Sequence, residues 1–101
     1  MQKKYTSFKQ FYPYYLSEHQ NTVCRRLHFI GSCLIIAVCV LSIITNVYQI
    51  LWSIPILGYG FAWVGHYFFE KNRPATFTYP IYSLWADWVM FKDILVGKIT
   101  W

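Results

Sequence analysis

Charge is what this chain has least of. Only 13% of its 101 residues are Asp, Glu, Lys or Arg, and only four are acidic, against roughly 25% charged residues in an ordinary globular protein. Between Arg26 and Glu70 lie 43 residues without any charge. A gap of that length excludes a disordered segment and a nucleic-acid-binding module, which both need charge along their length. Cysteine is scarce too. Cys24, Cys33 and Cys39 are odd in number and lack C-x-x-C spacing, so they exclude a disulfide-stapled secreted domain and read as small buried side chains, not zinc ligands. No internal repeat or low-complexity tract is visible. No A-x-A-like site follows Ile44, and the region before Arg25-Arg26 is long and aromatic, which argues against a signal peptide or twin-arginine leader.

What fills the chain is apolar: 56% hydrophobic and 22% aromatic residues. As helix, at about 1.5 Å per residue, the uncharged stretch would run for roughly 65 Å, enough for two membrane crossings and a turn. The predicted fold is therefore all-α and integral to the membrane, one domain over residues 1–101. Its centre is a hairpin of two transmembrane helices, residues 28–44 and 51–69, joined by Thr45–Gln49. Phe8, Phe11, Tyr12, Tyr14 and Tyr15, mixed with lysines, predict an interfacial arm over residues 1–20. Asn21 or Thr22 is the expected cap of the first long helix, and Pro74 the stop of the second. The apolar run after it, with Asp87 inside and Lys92 and Lys98 beyond, is too short to span and predicts a re-entrant or interfacial helix over 76–96. Gly58 and Ala62 have the four-residue spacing that lets membrane helices approach closely.

Seven basic residues (Lys3, Lys4, Lys9, Arg25, Arg26, Lys71 and Arg73) flank the hairpin on one side, and the turn has none. The positive-inside rule then makes both termini cytoplasmic, in the inner membrane of a bacterium or the endoplasmic reticulum of a eukaryote. The N-terminal lysines are either simply solvated or drawn to anionic lipid headgroups. Membrane lipid is thus an expected partner and nucleic acid is not, while self-association is left open.

The hairpin also sorts the chemistry. The start of the outgoing helix and the end of the returning one share a membrane face, which brings His28 and His66 together across 38 residues. His19 reaches the same face if Gln20-Asn21-Thr22 breaks the helix, because nine residues of unbroken helix would point it away. Glu70 follows His66 by four residues, on the same helix face. Imidazoles with a carboxylate suit iron(II) of the two-His-one-carboxylate or all-His type, and zinc second. Asp87 is a further candidate, since a carboxylate in an apolar setting is costly; a helix cap or a partner for Arg25, Arg26 or Arg73 explains it equally well.

Tyr15-Leu16-Ser17-Glu18-His19, the run Arg26 to Gly31, the block Gly65 to Ala75 and the run Tyr79 to Leu84 resemble the small integral membrane family of the fungal 2-hydroxy fatty acid dioxygenase, which acts in phytosphingosine breakdown. The resemblance covers residues 12–99. It implies iron(II)-dependent alpha-oxidation, in which a 2-hydroxy fatty acid and O2 yield the fatty acid one carbon shorter. It also implies His19, His28, His66 and Glu70 as the catalytic, metal-binding residues. A 2-hydroxy carboxylate can chelate iron through two oxygens, Arg25, Arg26 or Arg73 could hold its carboxylate, and the acyl chain would lie along the helices. Two readings from other classes stand beside this one: a non-enzymatic membrane scaffold with merely interfacial histidines, and a bis-histidine haem hairpin using His28 and His66.

Overall fold

The computed structural model describes residues 5–101, so Lys3, Lys4 and the first residues of the expected arm lie outside the described residues. Every element among the described residues is helical. Helix α1 is Phe8–Ser17; the Ser7 side chain caps it by accepting the Gln10 N–H. Helix α2 is Thr22–Thr45, and Asn21 is its cap, accepting the N–H groups of Val23 and Cys24 at 2.9 and 3.2 Å. Asn46 ends α2 in the left-handed conformation at φ 59°, a position Asn tolerates better than most residues.

The returning arm of the hairpin departs from the single α-helix expected over 51–69. It starts as a 3-10 segment, Tyr48–Ser53, continues as helix α3, Ile54–Val64, and closes in a π-helical turn, Gly65–Glu70. Pro55 sits in the first turn of α3, where its missing N–H costs nothing. Lys71, at φ 61°, ends the rod before Pro74 can. As a result α2 is the one helix among the described residues long and apolar enough to cross a membrane, with a mean hydropathy of 2.6 over its best window.

Glycines set how closely the two arms pack. A Cβ on Gly65 would lie 2.9 Å from Cys24 Sγ and 3.1 Å from Cys24 Cα, and one on Gly31 would lie 3.1 Å from the Leu57 carbonyl oxygen. Gly58, by contrast, would meet only the Ile35 side chain, at 3.3 Å. The tightest approach is therefore at the histidine end of the hairpin, not at the Gly58 and Ala62 pair.

A short 3-10 turn, Ala75–Phe77, leads to helix α4, Pro80–Leu95. The described part of the expected arm packs against α4. Phe11 and Tyr15, one turn apart on α1, are fully buried and form the core with Ala75, Tyr79, Ala86 and Met90. Spacing by four puts both rings on one face, and α4 offers small and flexible residues to receive them. Tyr12 fixes the same contact by donating from its hydroxyl to Asp93 at 2.8 Å. Cys33, expected to be buried, is exposed on α2.

Candidate metal centre

Three helix ends meet at one point. The bend at residues 18–21 turns His19 back beneath α1, His28 stands two turns into α2, and the π-helical turn carries His66. All three are buried, at 1%, 7% and 2% exposure. Their ring centroids form a triangle with sides of 4.5, 4.5 and 5.0 Å.

Their hydrogen bonds fix which nitrogen carries the proton. His19 Nδ1 lies 2.6 Å from the Tyr15 carbonyl oxygen and His28 Nδ1 lies 2.9 Å from that of Cys24. A carbonyl can only accept, so both Nδ1 atoms donate. His66 Nδ1 lies 2.7 Å from Asn72 Oδ1. The amide of Asn72 is oriented in turn, since its nitrogen donates to the Glu18 carbonyl at 3.1 Å and to Glu18 Oε2 at 3.2 Å. Each imidazole is thereby left with an unprotonated Nε2.

Those Nε2 atoms face inward. His19 Nε2 and His28 Nε2 are 3.1 Å apart with no hydrogen available to lie between them, so two lone pairs oppose one another unless a cation stands near. Beside them is a cavity of about 20 Å³ lined by all three histidines, Tyr15, Ser83 and Asp87, and a space of that order holds a single small occupant. Burial, reinforced by the neighbouring His28 and His66, holds the His19 imidazole well below its ordinary pKa, which keeps it in the neutral form that ligates metals. The donor set thus fits a metal ion. A porphyrin does not fit: a planar macrocycle between His28 and His66 would need far more room, and His19 already closes the third side.

The other expected residues are placed differently. The Glu70 carboxylate accepts the backbone N–H of Asn21, tying the end of the returning arm to the positive end of the α2 dipole; it is not one of the groups that converge. In its place stands Cys24, read from sequence as a packing residue, which joins the three histidines in a set whose ligand atoms all lie within 4.8 Å of one another. Arg25 donates to the His19 and Gln20 carbonyls at 3.0 and 2.9 Å, securing the bend. Arg26 lies over Trp101 and Arg73 over Phe77, so the structure brings no arginine to the cavity. Asp87 pairs neither with an arginine nor with a helix end; it accepts from the Tyr15 hydroxyl, while the Tyr15 ring stacks on His19. Burial pushes the Asp87 carboxyl up to about 7, against the opposing effect of that hydrogen bond.

Asn72 and Ser83 were not singled out by sequence reasoning. Asn72 lies inside the Gly65 to Ala75 block, but only the structure shows it turned back onto His66. Ser83 is 4% exposed and its hydroxyl has no hydrogen-bond partner among the described residues. Beyond Asp87 and His28 a second cavity opens, about 210 Å³, walled mainly by apolar side chains of α2, α3 and α4.

Comparison with known proteins gives a family for this chain. Residues 5–99 match the Mpo1-like family, described as 2-hydroxy-palmitic acid dioxygenase Mpo1-like, and the chain belongs to it. No curated protein matches the chain, and no solved structure does.

Proposed function

We propose that this member of the Mpo1-like family is a membrane-embedded iron(II) dioxygenase that shortens 2-hydroxy fatty acids by one carbon. The observation that carries the reading is the meeting of three Nε2 lone pairs, each set by an Nδ1–H bond, in a chain whose family is described as a 2-hydroxy-palmitic acid dioxygenase. Three neutral imidazoles with room beside them leave positions open for other ligands, the arrangement expected of a catalytic centre rather than a closed structural one.

His19, His28 and His66 hold the metal, and Glu70 acts from behind by fixing the returning arm against α2. Cys24 stands close enough to serve as a fourth donor. Bound iron(II) supplies oxygen activation, and the substrate supplies the electrons. The balance needs nothing further: one 2-hydroxy acid and one O2 give the acid one carbon shorter, CO2 and water. Ser83, whose buried hydroxyl lines the cavity without a partner among the described residues, donates to the substrate carboxylate. Asp87, steadied by the Tyr15 hydroxyl, accepts the hydrogen of the 2-hydroxyl.

The membrane setting is part of the proposal. Helix α2 is apolar yet only 22% of its best window is buried, and the returning arm exposes Trp52 at 82% and Ile56 at 73%. Such surface on one small chain needs lipid around it. The longest dimension, 43 Å, matches a bilayer of roughly 40–45 Å including headgroups. Residues 28–44 and 51–69 cross as a hairpin with both termini cytoplasmic, and α1 and α4 close over its histidine end at that surface.

The test is turnover. Iron(II)-loaded protein in lipid should convert 2-hydroxyhexadecanoic acid to pentadecanoic acid and leave the 3-hydroxy isomer untouched, because that isomer forms a larger, differently directed chelate. A scaffold would convert neither, and equal conversion of both would defeat the proposed chelation.

A further inference from the structure

We propose that the cavity between α2, α3 and α4 holds the first part of the acyl chain, and that Gly58 sets how much of the chain it admits. The inference rests on the reaction proposed above and adds where the tail lies.

Polarity is graded along the cavity. At one end stand His28, Ser32 and Asp87; the remaining wall is supplied largely by Ile35, Ile54, Pro55, Leu84 and Trp88. His28 and Asp87 also line the small cavity among the histidines, so the polar end of one space is the wall of the other. A ligand with a polar head at the histidines and an apolar body pointing away is the shape this arrangement takes. The body leaves sideways. Leu84 is 55% exposed and Tyr59 46%, so the cavity walls run out to the same apolar surface that faces lipid.

Volume limits what is held inside. The space, about 210 Å³, is too small for a whole sixteen-carbon chain. The carbons next to the polar head, C6 among them, lie inside it, and the rest of the chain lies in lipid. Because lipid is as apolar as the wall, the cavity selects by shape, not by chain-length affinity. Gly58 is the control point: it lines the cavity, and a Cβ there meets only the terminal methyl of Ile35 at 3.3 Å. That contact is tight enough that the Ile35 side chain must give by a few tenths of an ångström, and a larger side chain takes the rest of its room from the ligand's space.

Two measurements on full-length protein in lipid nanodiscs test this. The first uses 2-hydroxyhexadecanoic acid bearing a photoreactive diazirine at C6 or at C15, with anaerobic protein, so that no turnover is required. The C6 probe should label Leu84 or Trp88 and the C15 probe neither; labelling by C15 alone, or by neither probe, would overturn the assignment. The second compares methyl-branched substrates on the wild-type chain. A branch at C6 should lower kcat/KM at least tenfold relative to a branch at C14, and equal rates would refute the cavity. Gly58→Leu should lower kcat/KM for 2-hydroxyhexadecanoic acid at least tenfold more than for 2-hydroxybutanoic acid, at unchanged iron content. Should that variant misfold, Gly58→Ala and the wild-type measurements still decide. Labelling at the cavity without any turnover would preserve this site and remove the proposed reaction, whereas turnover without cavity labelling would do the opposite.

Discussion

Asn72→Ala should loosen the metal without touching any ligand. In the native protein the Asn72 side chain accepts from His66 Nδ1 at 2.7 Å and donates twice to Glu18. Truncation leaves the His66 N–H, on a ring only 2% exposed, without its acceptor. A buried donor so orphaned costs about 1–3 kcal/mol. The ring can escape that cost by rotating or by moving its proton to Nε2, and either change removes a lone pair from the centre. Loss of such an orienting partner typically lowers metal affinity about 10- to 100-fold, or roughly 1.4–2.8 kcal/mol, within the range set by the hydrogen bond. Competition against a calibrated chelator, with cobalt(II) as a spectroscopic stand-in for iron(II), reads the affinity directly. Asn72→Asp restores an acceptor for His66 but sets oxygen against oxygen at Glu18, so it should recover part of the loss. An Asn72→Ala protein that stays folded and binds metal within twofold of wild type would refute the reasoning.

Gly65→Ala should destabilise the fold by about 1–3 kcal/mol through overpacking, because its Cβ would strike Cys24 at 2.9 Å; Gly60→Ala, with nothing within 4 Å of the new atom, should be neutral or slightly stabilising in thermal unfolding. A carboxyl raised from 3.8 to about 7 favours the folded state below its ordinary pKa and loses that advantage as the pH rises through 7. Asp87→Asn should therefore raise Tm at pH 8 by a few degrees and leave it unchanged at pH 4. Ser83→Ala should raise KM for 2-hydroxyhexadecanoic acid several-fold with iron content unchanged. A cysteine placed at Val47 should react with an impermeant label only from the side opposite the termini; reaction from the cytoplasmic side would invert the topology.

The juxtaposition of the three imidazoles was legible because it follows from chain direction alone: a hairpin must bring residues 28 and 66 to one end, and Asn21 marks the break that returns His19. The orienting groups were not legible. The Tyr15 and Cys24 carbonyls carry no side-chain signature, and Asn72 reaches His66 only because Lys71 adopts a left-handed turn. For Glu70, i, i+4 spacing reports a face shared with His66 but not what else that face touches, and the bond from the Asn21 N–H to its carboxylate is visible only in the fold. The arginines are expected from sequence to hold a carboxylate, yet Arg25 is taken by the carbonyls of the bend, and Arg26 and Arg73 lie on aromatic rings, contacts that leave no mark in the sequence. Phe11 and Tyr15 show the same limit. An aromatic stripe suits a lipid interface and a protein core equally, and only the position of α4 shows that these two rings serve a core.

The proposed chemistry depends on three histidines holding one iron. Iron content per chain, measured on anaerobically reconstituted protein in lipid, tests it most directly. The wild-type chain should bind one iron(II), and His19→Ala, His28→Ala and His66→Ala should each lose most of it while remaining in the membrane. Full iron retained by the triple variant, or no iron bound by the wild type under any loading condition, would contradict the account.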